Sequence, residues 1–119
     1  LAASDSIPYP EQWRDSRAIV LAGEFEAIRE VWGRPIRITS AYRTPETNVK
    51  AKGKKNSQHL YGRALDLKAP AGINFQVFYN KVLTLAKERG IIRGVGLNMK
   101  NRHVHIDTRP SDVLVTWDE

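Results

Sequence analysis

Between Asp15 and Trp32 the apolar residues Leu21, Phe25, Ile28 and Trp32 recur at intervals of four, three and four. That spacing predicts one buried helical face. Asp15 or Ser16 is placed to cap the start of this helix, and Gly33 and Pro35 are placed to stop it. Gly23 falls inside the pattern and weakens it, because an interior glycine costs about 1 kcal/mol relative to alanine. A second run, Asn74 to Arg89, carries Phe75, Phe78, Val82, Leu85 and Ala86 at helical spacing and is closed by Gly90. Other stretches alternate instead. Ile36–Ser40, Ala64–Lys68 and His103–Asp107 switch polarity residue by residue, which predicts strands whose successive side chains project to opposite faces. Gly94–Leu97 reads as a further short strand, followed by a turn at Asn98–Asn101, and Val113–Trp117 as a last apolar run. Pro45–Ala51 fits a short helix with proline in its first turn and Gly53 beyond its end, leading into a polar loop over Gly53–Ser57. Helices and strands are mixed rather than strictly alternating. The expected class is therefore α+β, a small, mostly antiparallel sheet packed with two main amphipathic helices.

The chain has 119 residues, the size of one domain, and residues 1–14 read as an irregular lead-in. Its 41% hydrophobic and 27% charged residues are ordinary for a globular protein. No run approaches the roughly 18 apolar residues of a membrane span, and Leu1-Ala2-Ala3 is too short for a signal peptide, so no targeting segment is visible. Cysteine is absent, which excludes disulfides and thiolate metal sites and leaves histidine and carboxylate as the only strong metal ligands. Nineteen Lys and Arg against 13 Asp and Glu give a net charge of +6, suited to an anionic partner surface. The densest basic run, Lys50 to Lys55, has no interleaved aromatics and no nucleic-acid module accompanies it, so it reads as a solvated loop. No nucleic-acid partner is expected, and the chain is expected to be a monomer.

Two of the three histidines lie in His103-Val104-His105-Ile106-Asp107, where alternation places both imidazoles and the carboxylate on one strand face. The third, His59, precedes Asp66 by seven residues, with Gly62 allowing a turn between them. A catalytic zinc site needs three N or O ligands on rigid elements and an open fourth position. If the two strands share a sheet, Asp66 and His105 share a face and His59 can close over them. Spacing alone leaves an exposed histidine pair as the commoner outcome. Asp66, however, sits among Ala64, Leu65 and Leu67, where an unpaired carboxylate would be costly to bury.

Three blocks, SAYRTPETN at Ser40–Asn48, SQHLYGRALDL at Ser57–Leu67, and GVGLN with HVHIDTR between Gly94 and Arg109, together resemble the M15 family of zinc D,D-peptidases. That family includes peptidoglycan D-Ala-D-Ala carboxypeptidases, murein endopeptidases and phage endolysin domains, and it shares its scaffold with the hedgehog signalling domain. The resemblance runs from about Leu21 to about Trp117. It implies one Zn2+ ion held by His59, Asp66 and His105. It also implies His103 as the catalytic histidine and Arg43 as the arginine that orients a substrate carboxylate or polarises the scissile carbonyl. Some relatives carry a glutamate base three residues before the last ligand; here that position is Arg102, so His103 is the expected base. Asp107 is placed either to hydrogen-bond an imidazole of the site or to pair with Arg109 at the surface. Ser57 and Gln58 are placed either to line the site or to cap the loop entering the strand. The implied function is hydrolysis of peptide bonds in bacterial peptidoglycan, as carboxypeptidase or endopeptidase, at a cell wall reached by periplasmic, secreted or phage-delivered enzyme. The alternative, on the same fold, is a non-catalytic zinc-containing module that binds cell wall or a partner protein.

Overall fold

The computed structural model describes residues 8–119, so the first seven residues of the expected lead-in lie outside it. Five strands form one sheet: β1 (Ile38–Ser40), β2 (Ala64–Lys68), β3 (Gly94–Asn98), β4 (His103–Asp107) and β5 (Val115–Asp118), in the order β1-β2-β4-β3-β5. Every neighbouring pair is antiparallel except β3 and β5, which run parallel. The fold is α+β with a mostly antiparallel sheet, as the alternation implies.

The period of two sorts the side chains. Leu65 and Leu67 of β2, Val95 of β3, and Val104 and Ile106 of β4 are fully buried. They join Leu21 and Ile28 of α2 (Ile19–Trp32) and Phe75, Phe78, Val82 and Ala86 of α4 (Phe75–Arg89) in one core cluster. Burying each large aliphatic or aromatic side chain contributes about 1.5–3 kcal/mol, so the two helices hold to the sheet mainly through this face. Glu24 on α2 is buried as well, and Arg89 on α4 meets its carboxylate with two 2.9 Å hydrogen bonds. The residues between the core positions of β2 and β4, namely Asp66, Lys68, His103, His105 and Asp107, belong to the opposite face.

The start of the first helix differs from expectation. Helical structure begins at α1 (Glu11–Trp13), directly after Pro10, and passes through a π-helical turn over Arg14–Ala18 into α2. Asp15 and Ser16 therefore lie inside the helical run and do not cap it; the Ser16 hydroxyl bonds back to the Gln12 carbonyl at 3.0 Å. The lead-in becomes helical at Glu11 rather than remaining irregular to residue 14. At its other end α2 stops at Gly33 (φ +60°), as predicted. The second main helix also keeps its predicted limits: the Asn74 side chain accepts from the Val77 N–H at its start, and Gly90 (φ +70°) ends it. Between them, α3 (Pro45–Lys50) is capped by the Thr44 hydroxyl, which accepts from the Thr47 N–H. Among the described residues no helix is long and apolar enough to cross a membrane.

Candidate metal centre

Antiparallel pairing of β2 with β4 sets Asp66 directly opposite His105 and Lys68 opposite His103. His59 arrives from a 3-10 turn, Gln58–Tyr61, immediately before β2. Ser57 caps that turn by accepting from the His59 N–H at 3.2 Å, and Gly62 ends it at φ +68°. The Arg43 N–H donates to the His59 carbonyl at 3.0 Å, tying the turn to the chain that leaves β1. His59, Asp66 and His105 are all buried, and one ligand atom from each lies within 4.8 Å of the others. These are the three residues that the spacing and the resemblance single out.

The hydrogen bonds behind the rings decide what faces inward. His59 Nδ1 stands 2.6 Å from the Ala41 carbonyl, which can only accept, so Nδ1 donates there and Nε2 is the nitrogen left to face inward. His105 Nε2 donates to Asp107 Oδ2 at 2.7 Å, which leaves Nδ1 facing the other way. Both inward nitrogens approach Asp66 Oδ1, His59 Nε2 at 3.2 Å and His105 Nδ1 at 3.3 Å. That oxygen is buried with no hydrogen-bond partner. Two inward imidazole nitrogens and a carboxylate oxygen thus converge at one point, and a His-Asp-His set of this kind suits Zn2+. These residues could hold one metal ion.

The electrostatics of the metal-free chain express the same demand. Burial acts to raise the Asp66 carboxyl, but His105 and His59 overcome it and hold that group far below the usual carboxylate range. At His105 burial works against the charged ring, yet the carboxylates of Asp107 and Asp66 push it up to about 9. In the absence of a metal, a proton on His105 answers the negative charge of its neighbours.

Asp107 is fully buried, which corrects the surface position considered for it. The two roles weighed for it are both filled at once. It accepts from His105 and also from Arg109, whose Nε and Nη2 donate at 2.8 and 2.7 Å. Burial would raise this carboxyl, but hydrogen bonds from Arg109 and His105 hold it down to about 2. Arg109 in turn lies over the Trp117 ring, 4.7 Å from its centroid, and that ring packs 5.2 Å from His105.

Arg43 is half-buried beside the three ligands. Its Nε donates to Ser40 Oγ at 3.0 Å, Nη1 to Asn48 Oδ1 at 3.2 Å and Nη2 to Asp66 Oδ2 at 3.3 Å. A guanidinium has five N–H donors, so two remain. His103 lies one row beyond His105 and is partly exposed. Its Nε2 is 3.9 Å from Asp66 Oδ2 and 3.5 Å from Glu119 Oε2. The Glu119 carboxyl is lowered first by this histidine, and it also accepts from Asn98 Nδ2 at 3.3 Å. Of the two loop residues, Ser57 serves as a cap, and the Gln58 backbone carbonyl accepts from the Arg63 N–H.

Sequence reasoning did not single out Ser40, Asn48, Glu119 or Trp117. Ser40 and Asn48 bound the SAYRTPETN block, which was the available signal; Glu119 and Trp117 lie beyond the motifs, on or just after an edge strand. A family model described as Peptidase M15 matches residues 6–107. No curated protein matches the chain significantly.

Proposed function

The chain belongs to the peptidase M15 family, and from that membership we propose that it is a zinc-dependent hydrolase cutting peptide bonds of bacterial peptidoglycan. The observation that carries the zinc dependence is the convergence of His59 Nε2 and His105 Nδ1 on the partnerless oxygen of Asp66. His59, Asp66 and His105 would hold the ion. Zn2+ there supplies Lewis acidity, polarising a scissile carbonyl and making water nucleophilic near pH 7.

The remaining work falls to the chain's own side chains. His103 is a partly exposed imidazole on the same face as the ligands, suited to take a proton from the attacking water and return it to the leaving amine. Arg43 offers its two remaining N–H donors to a substrate carboxylate or to charge developing on the carbonyl oxygen. Three hydrogen bonds fix its orientation beforehand, so little reorganisation accompanies binding. Release of a terminal D-Ala and cleavage within a cross-bridge use the same groups. In the first, Arg43 holds the free carboxylate. The net charge of +6 favours approach to an anionic wall.

The test is cleavage of purified peptidoglycan with mass analysis of the released fragments. The expected result is cleavage that a chelator abolishes and zinc restores. His103→Ala is expected to keep its zinc while losing about 100-fold or more of the rate, whereas His59→Ala and Asp66→Ala lose the metal. Wild-type rates in His103→Ala would remove that residue from the mechanism, and zinc binding without any cleavage would favour a binding module.

A further inference from the structure

Where β2 ends and β4 begins, a cleft of about 390 Å³ is lined by Lys68, Ala69, Ile73, Asn74, Phe75 and Arg102. None of these residues is a metal-ligand candidate, yet the cleft adjoins the site. Lys68 follows Asp66 by two residues on β2 and pairs in register with His103. Alternation puts Lys68 on the face of Asp66, with their backbones about 7 Å apart at about 3.3 Å per residue. An extended peptide covers that distance with about two residues.

The lining is cationic and carries no carboxylate. Lys68 reaches across the hairpin to the Asn101 carbonyl, which engages one of its three N–H donors. Arg102 is exposed, and neither cation forms an ion pair among the described residues. Arg102 also holds φ +52°, a left-handed conformation that an L-residue adopts at a cost and that glycine or asparagine adopts more readily. An arginine kept in that conformation beside an unpaired lysine invites a functional reading. Ile73 and Phe75 add apolar surface to the same cleft.

We propose that Lys68 and Arg102 bind a carboxylate side group of the peptide substrate, two residues to the amino side of the residue whose carbonyl is cut. This inference rests on the peptidase reading above and adds to it a preference for acidic over amidated peptides. It assigns Arg102, where some relatives carry a glutamate base, a binding role instead. Two charge-assisted contacts to one carboxylate make that preference measurable.

The experiment uses the zinc-loaded protein and two tetrapeptides, L-Ala-γ-D-Glu-L-Lys-D-Ala with the glutamate α-carboxyl either free or amidated. Neither contains a D-Ala-D-Ala bond. By titration calorimetry the free acid is expected to bind about tenfold tighter, a difference of about 1.4 kcal/mol. The double variant Lys68→Gln, Arg102→Gln is expected to bind the two peptides equally, with zinc content and melting temperature showing that it is folded. Equal affinities in the wild type, no binding of either peptide, or a preference surviving in the double variant would each overturn the proposal. Cleavage of peptidoglycan is followed separately. A carboxylate preference without cleavage would sink the hydrolytic reading alone, and cleavage without the preference would sink this proposal alone.

Discussion

Asp107 holds His105 from behind while Arg109 holds Asp107, so the charge state of the candidate ligand depends on a carboxylate that would not touch the metal. The shifts on this pair both stabilise the fold, but their pH dependences have opposite sign. Asp107, lowered to about 2 from an ordinary 3.8, contributes stability that is present above about pH 4 and lost as the pH falls through 2. His105, raised from 6.5 to about 9, contributes stability that is present below about pH 6.5 and lost as the pH rises through 9. The metal-free chain gains from both between these limits. Asp107→Asn is expected to flatten the acid side of the stability profile by about 2 kcal/mol and to weaken zinc binding about 10–100-fold. Denaturant titrations from pH 2 to 6 and a competitive chelator assay check the two effects, and an unchanged acid limb would contradict the first. Asp66 and His105 were legible from the sequence because alternation assigns a face and the register then pairs them. Ser40 and Asn48, which fix Arg43, were not, because a lone polar residue has no periodicity to announce its partner.

At the level of elements, apolar spacing located both main helices and the alternating runs located the strands. Cap and edge positions were harder to read. The first helix starts earlier than predicted because α1 and the π-helical turn bury none of their residues, so no apolar stripe marks them. In β1 the register shifts between Ile38, paired with Leu67, and Ser40, paired with Asp66. This bulge keeps Ile38 in the core while Ser40 meets Arg43, and strict alternation cannot foresee it. Glycines inside elements divide by what surrounds them. Gly23 on α2 is exposed, and a Cβ there meets nothing within 4 Å. Gly23→Ala is therefore expected to stabilise the protein by about 0.5–1 kcal/mol. On β3 a Cβ at Gly94 would fall 2.3 Å from Asp107 Oδ1, so Gly94→Ala is expected to destabilise the fold and displace the carboxylate behind His105. Thermal melts of the two variants should move in opposite directions; a stabilised Gly94→Ala would show that Asp107 has room to shift.

Across the whole molecule, the three candidate ligands come from a turn, a central strand and its neighbour, so a bound ion would link segments up to 46 residues apart in sequence. Zinc that binds only the folded chain stabilises it by mass action, about 4 kcal/mol when free metal is a thousandfold above its dissociation constant. Added zinc is expected to raise the melting temperature and a chelator to reverse the gain; a melting temperature indifferent to both would argue against the site. The sheet order places the far wall of this centre on β5, whose parallel pairing with β3 follows from a connection that the strand pattern alone did not define. Trp117 belongs to that wall, with its indole in contact with both the Arg109 guanidinium and the His105 ring. Exchanging a proton on His105 for a metal alters the electric field across that chromophore, so its emission supplies an intrinsic optical readout of site occupancy.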